Sequence, residues 1–145
     1  MSQENVDKTL DFIAAYNRRD FDGAVESFDS QVDWVLPAHQ GFDSCKGPDQ
    51  IRIFWEGLDE TFEKLRLDPQ ETVDAGDRVA VRLRYYSLGK GSGAEIEGEL
   101  YHQVTTFRDG MMVRIEYFTD WPAALEAAHA EDYAGLDALE DRAGA

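Results

Sequence analysis

Three features of the sequence predict an α+β domain in which helices pack on one side of a bent sheet. Up to Leu65, apolar residues recur at three- and four-residue steps, as amphipathic helices require. From there to Thr119 the period falls to two, the mark of strands, and tight-turn dipeptides cut that stretch into antiparallel hairpins.

The first helix is expected over Val6 to Arg19, with Val6, Leu10, Ile13 and Tyr16 on one face, Phe12 widening the stripe and Asn5 as N-cap. Asp20 to Phe28 reads as a short second helix, and Val32 to Leu36 as a strand ended by Pro37. Gly47-Pro48 opens a third helix, with proline in the tolerated first turn and Ile51, Phe54, Trp55, Leu58 and Phe62 as its stripe. Strands are expected next over about Asp68–Ala75, Arg78–Leu88, Ala94–Arg108 and Met111–Thr119. Gly76-Asp77 and Asp109-Gly110 form tight turns, and 89–93 a longer hairpin tip. Asp120-Trp121-Pro122 starts a terminal helix with Asp120 as cap, a simpler role for that carboxylate than general base.

A chain of 145 residues fits one domain, assigned here to 1–128, with 129–145 an acidic tail or marginal helix. The net charge of −16 and the lack of a basic run argue against nucleic-acid or anionic-membrane partners. That charge serves solubility or, given few lysines, adaptation to high salt. The single Cys45 excludes an intrachain disulfide, and the polar start lacks the features of a secretory signal, so the cytoplasm is expected. No metal site is suggested by the spacing of His39, His102 and His129. The glycines of 89–93 match a dinucleotide fingerprint only on paper, because strand rather than helix comes after them. No cofactor is therefore expected.

Arg108-Asp109-Gly110 with Val113-Arg114-Ile115-Glu116-Tyr117-Phe118, and the hairpin from Lys90 to Glu99 before it, resemble the SnoaL-like family. The opening Phe12-Ile13-Ala14-Ala15-Tyr16 and the closing Ala124-Leu125-Glu126-Ala127-Ala128 are similar to it as well. The resemblance covers about Asn5 to Ala128 and implies a cone-shaped, curved mixed or antiparallel sheet wrapped around helices, a cystatin-like roll related to ketosteroid isomerases and polyketide cyclases. It also implies a pocket lined by Phe12, Tyr16, Trp34, Leu36, Trp55, Leu58, Ala80 and Tyr101, with a small organic ligand or substrate.

Carried over position by position, the family's catalytic groups are missing. The isomerase tyrosine, acid and base fall on Phe12, Gln103 and Leu36. The cyclase aspartate and histidine fall on Tyr117 and Gln103, and the Asp–Arg–Asp of epoxide hydrolases on Ala80, Arg78 and Tyr117. Phe12 cannot donate a hydrogen bond and Leu36 cannot take a proton. Tyr117, Gln103 and His39 remain as candidate catalytic residues: the phenol as donor to a developing oxyanion, the amide as its partner, the imidazole as acid/base. Two function classes stay open, a cofactor-free isomerase, cyclase or hydrolase and a non-catalytic binding or dimeric interaction module.

Alternation leaves the inward sheet face open. Ala80, Arg82, Arg84 and Tyr86 are expected opposite Glu97, Glu99, Tyr101 and Gln103, and Val79, Val81 and Leu83 lie on the other side. With the mixed face inward, a homodimer covers the aliphatic face, as the resemblance to dimeric relatives implies. With the aliphatic face inward, the Arg/Glu ladder is solvated.

Overall fold

The Asp109-Gly110 hairpin shows how local chemistry builds this sheet. Both residues adopt positive φ, 54° and 78°, the conformation of a two-residue turn whose twist matches the strands it joins. The computed structural model describes residues 2–36 and 44–129. They form helices α1 (Ser2–Asn17), α2 (Phe21–Ala24), α3 (Pro48–Thr61) and α4 (Trp121–Ala128). The strands are β1 (Phe28–Val35), β2 (Cys45–Lys46), β3 (Phe62–Asp74), β4 (Arg78–Gly89), β5 (Glu95–Arg108) and β6 (Met111–Phe118). One curved, open sheet runs in the order β2-β1-β6-β5-β4-β3, antiparallel throughout except for the parallel β1–β6 pair.

Helix boundaries differ from the sequence expectation where tertiary partners compete. α1 begins at Ser2, and Asn5, expected as a cap, lies inside it with its amide donating to the Gly76 carbonyl at 3.1 Å. α2 is cut to four residues because Phe28 already pairs with Met112 of β6. α3 stops at Thr61, since Phe62 and Lys64 enter the ladder opposite Gly89 and Leu88.

The inner face carries the core. Phe12, Ile13 and Tyr16 of α1 and Ile51 and Trp55 of α3 are buried against Trp34, Val79, Val81, Leu83, Ile115 and Tyr117 of the sheet. α4 lies on the opposite face, where Ala124, Ala127 and Ala128 cluster with Ala80 and Val104. Helices therefore flank both sides of the sheet rather than one. The small alanine face lets α4 approach the strands closely, and Asp120 caps it, its carboxylate accepting from the Ala123 N–H at 2.8 Å.

The β4–β5 register corrects the expected pairing. Near the hairpin tip Tyr86 faces Glu97, but an irregularity between Tyr85 and Tyr86 shifts the ladder by one, so Tyr85 faces Glu99, Leu83 faces Tyr101 and Val81 faces Gln103. A one-residue bulge turns every later side chain to the other face. Tyr101 and Gln103 thus share the inner side with the aliphatic Val79, Val81 and Leu83, while Ala80 points outward under α4. The aliphatic face assigned to a second subunit is buried in the chain's own core.

The far edge of the sheet is closed by a side chain. Asn17, at the end of α1, donates to the Leu67 carbonyl at 2.7 Å and accepts from the Leu67 N–H at 3.0 Å, so one amide replaces a neighbouring strand at the middle of β3. Arg19 adds a bond to the Leu65 carbonyl at 3.0 Å. Replacing Asn17 with Ala is expected to cost about 1–3 kcal/mol in urea unfolding. An unchanged midpoint would show that water substitutes for the amide.

Candidate functional site

Between α1, α3 and the concave side of the sheet lies a cavity of about 130 Å³. The helices contribute Phe12, Ile13, Tyr16, Phe54, Trp55 and Leu58, and the sheet contributes Trp34, Leu65, Leu67, Tyr85, Tyr101 and Tyr117, with Leu36 and Phe62 at element ends. None of these residues is charged, so a ligand here meets ring faces, aliphatic carbon and phenol hydroxyls. Helical spacing brings Phe12 and Tyr16, four apart, to one side of α1, and Phe54, Trp55 and Leu58 to one side of α3.

Aromatic packing fixes the walls. Trp55 sits among Phe12, Tyr16, Phe21, Phe28 and Trp34, at centroid distances from 5.2 to 6.1 Å. Trp34 and Trp55 are set edge to face, and Trp34 leans on Tyr117 at 5.2 Å. Their indole nitrogens are buried with no hydrogen-bond partner among the described residues.

A polar relay underlies the sheet wall. The Tyr117 hydroxyl donates to Gln103 Oε1 at 2.9 Å, and Gln103 Nε2 donates to Thr105 Oγ1 at 3.2 Å. Gln103 and Thr105 are wholly buried, and Tyr117 is 7 % exposed. Burial pushes the Tyr117 phenol well above its ordinary pKa, and the neighbouring Tyr16 and Tyr101 add to the rise. Burial also raises Tyr16, although the adjacent Arg19 guanidinium opposes it. Both phenols are thus neutral hydrogen-bonding groups at physiological pH, not bases.

Of the residues expected in the pocket, Phe12, Tyr16, Trp34, Leu36, Trp55, Leu58 and Tyr101 line the cavity, and Ala80 does not. The structure joins Tyr117 to Gln103, whereas His39 lies outside the described residues. Sequence reasoning did not select Leu65, Leu67 and Tyr85. Leu65 and Leu67 precede the strand expected from about Asp68, which in the structure already begins at Phe62, and Tyr85 lies on the strand face whose inward direction alternation left open. His102 is on the outer face, with its ring 5.8 Å from Trp121. Burial, with help from Arg82 and against Asp120, holds its imidazole below the usual value. Among the described residues no three His, Cys, Asp or Glu side chains gather as metal ligands, and no helix is long and apolar enough to cross a membrane.

A family model described as the SnoaL-like domain matches residues 9–115. No curated protein matches the chain in sequence. Among solved structures, TerC co-crystallized with polyporic acid is 26 % identical with a TM-score of 0.73, over 85 % of this chain and 96 % of that one. An NTF2-like protein of unknown function from Burkholderia pseudomallei is 21 % identical, TM-score 0.74, over 85 % and 95 % of the two chains. A protein with a ketosteroid isomerase-like fold from Catenulispora acidiphila, in complex with trimethylamine, is 16 % identical, TM-score 0.69, over 81 % and 88 %.

Proposed function

The chain belongs to the SnoaL-like domain family, and from that premise we propose that its cavity binds one small, uncharged, largely apolar ring compound. The observation that carries this reading is the lining: aromatic and aliphatic throughout the described residues, with phenols as the polar contacts. Size narrows it further. An apolar cavity of about 150 Å³ takes a single benzene ring, and this one is about 130 Å³, so one ring is enclosed and larger substituents extend toward the mouth. TerC, co-crystallized with polyporic acid, is a similar chain of matching fold with an organic molecule in its crystals.

A thermal-shift series with the intact protein tests this reading. Phenol and cyclohexanone are expected to raise the melting temperature, benzoate and anilinium-type cations of the same size to leave it unchanged, and Leu58→Trp to abolish the response by filling the cavity. Stabilisation by the charged compounds alone would refute it. Native mass spectrometry then reads which molecule the purified protein carries.

A second reading, cofactor-free isomerase, cyclase or hydrolase chemistry, rests on the Tyr117–Gln103 pair. The neutral phenol has one hydroxyl proton, donated to Gln103 Oε1 in this arrangement, so donation toward a developing oxyanion requires that proton to turn away from Gln103 to the substrate. With a substrate in hand, Tyr117→Phe is expected to lower turnover about 100-fold while ring binding persists; unchanged turnover removes Tyr117 from the mechanism. His39 stays in this reading as the acid/base group. Assembly as a homodimer also belongs to the proposal, through sheet positions left exposed such as Arg84, and the same native spectrum counts the subunits. The single Cys45 supports the cytoplasm as compartment.

A further inference from the structure

α1 is closed off by a residue that its backbone conformation does not favour. Arg19 has φ of 63°, and around it the Asp20 N–H donates to the Ala15 carbonyl at 2.9 Å and the Arg19 N–H to the Tyr16 carbonyl at 3.0 Å. These two bonds make a Schellman motif, whose left-handed position glycine fills most readily. An arginine held there carries backbone strain, and strain of this kind points to a side chain with a task.

The Arg19 side chain joins three elements. Its Nη1 donates to the Tyr16 carbonyl of α1 at 3.2 Å and its Nη2 to the Leu65 carbonyl of β3 at 3.0 Å, while its Nε lies 3.2 Å from Asp59 Oδ1 of α3. The guanidinium carbon stands 5.3 Å from the centre of the Tyr16 ring. Each element supplies the cavity with a wall residue at or beside the contact: Tyr16, Leu65, and Leu58, which precedes Asp59. Tyr16 is 6 % exposed, whereas the side chains of Arg19 and Asp59 are 31 % and 38 % exposed. Arg19 thus lies between Tyr16 and solvent, at the corner where α3 meets α1 and β3.

Building on the reading of the cavity as a ring-binding site, we propose that Arg19 is a strap across this corner, and that release of its Asp59 contact lets the end of α3 part from Tyr16 and Leu65 so that ring compounds pass in and out. The Asp59 contact is the one that yields, because a part-exposed ion pair is weakened by water and salt. The bonds to the Tyr16 and Leu65 carbonyls keep Arg19 with α1 and β3, ready to recapture Asp59 when α3 returns.

Exchange of 4-fluorophenol on the intact protein, followed by fluorine NMR, tests the strap. Arg19→Gly suits the left-handed backbone and removes only the side chain. It is expected to raise the dissociation rate roughly tenfold or more, with little change in the dissociation constant, because Arg19 does not line the cavity. Asp59→Asn should act in the same direction, and concentrated sodium chloride should speed exchange in the parent protein but not in Arg19→Gly. Rates equal to the parent's in both variants would overturn the strap. Equal acceleration by Asp22→Asn, which breaks the Arg52 pair nearer the start of α3, would overturn it too, since a general loosening of the helix would then be responsible. Failure of 4-fluorophenol to bind the parent would count against the ring-binding reading instead. Dissolved xenon, which enters an empty apolar cavity whatever its natural ligand, then gives the same comparison of rates and judges the strap by the same outcomes.

Discussion

Replacing Trp55 with alanine is expected to lower the unfolding free energy by about 3–5 kcal/mol and the melting temperature by roughly 10 °C. Its side chain is 1 % exposed and joins α1, α2, α3 and β1 through five ring contacts. Truncation removes the apolar burial of an indole and leaves space that the surrounding rings, held by their own backbones, cannot fill. The new space opens beside the existing cavity, so the variant should also accept larger ring compounds than the parent protein. Phe54, its half-buried neighbour on α3, serves as the control, and Phe54→Ala should cost less than half as much. Denaturant unfolding of both variants checks this. A loss below about 1 kcal/mol for Trp55→Ala, well under the usual range for a buried aromatic, would mean that the aromatic cluster collapses around the deletion and is far softer than its geometry implies.

The second large effect is expected at Gln103. Gln103→Leu keeps the volume and strands two buried hydroxyls, those of Tyr117 and Thr105, each of which now lacks the partner that offset its desolvation. At about 1–3 kcal/mol per unsatisfied group, the loss should reach about 2–4 kcal/mol. Adding Tyr117→Phe removes one stranded hydroxyl, so the double variant should be more stable than Gln103→Leu alone. That recovery measures the coupling between the two residues. Additive losses would sink the relay as an energetic unit. It would then be only a geometric coincidence in the pocket wall, and the oxyanion reading of Tyr117 would lose its support.

Local signals in the sequence located most of the elements. The Asp109-Gly110 dipeptide specifies its own turn, since the two positive φ angles it needs are tolerated there and at few other residue pairs. Asp120 before Trp121-Pro122 marks the start of α4, because a carboxylate cap and an early proline both serve the unpaired N–H groups of a first turn. The pocket was legible in the same way on the helices. Phe12, Tyr16, Trp55 and Leu58 fall on stripes whose period identifies one buried side, and a helix of this protein has one side to bury.

On the strands the same reasoning stops at parity. Both faces of β4 and β5 have a reason to be buried, one against α1 and α3, the other against α4, so alternation identifies two sets without saying which meets the pocket. The bulge at Tyr85 and Tyr86 then exchanges the pairing, which puts Tyr101 and Gln103 beside aliphatic partners and sends Ala80 outward. The extra residue is Gly98 on β5, between Glu97 opposite Tyr86 and Glu99 opposite Tyr85. A glycine inside a strand is a local mark of such a bulge, but it does not say which face then meets the pocket. Amino-acid pattern alone therefore determined the α+β class, the turns, the caps and the helical half of the pocket, because these depend on interactions within a few residues. The inward face of the strands, the Tyr117–Gln103 contact, the Asn17 clamp on β3 and the second helical layer were decided by the tertiary structure, because each pairs groups far apart in the chain whose register is set only when the whole sheet closes over the helices.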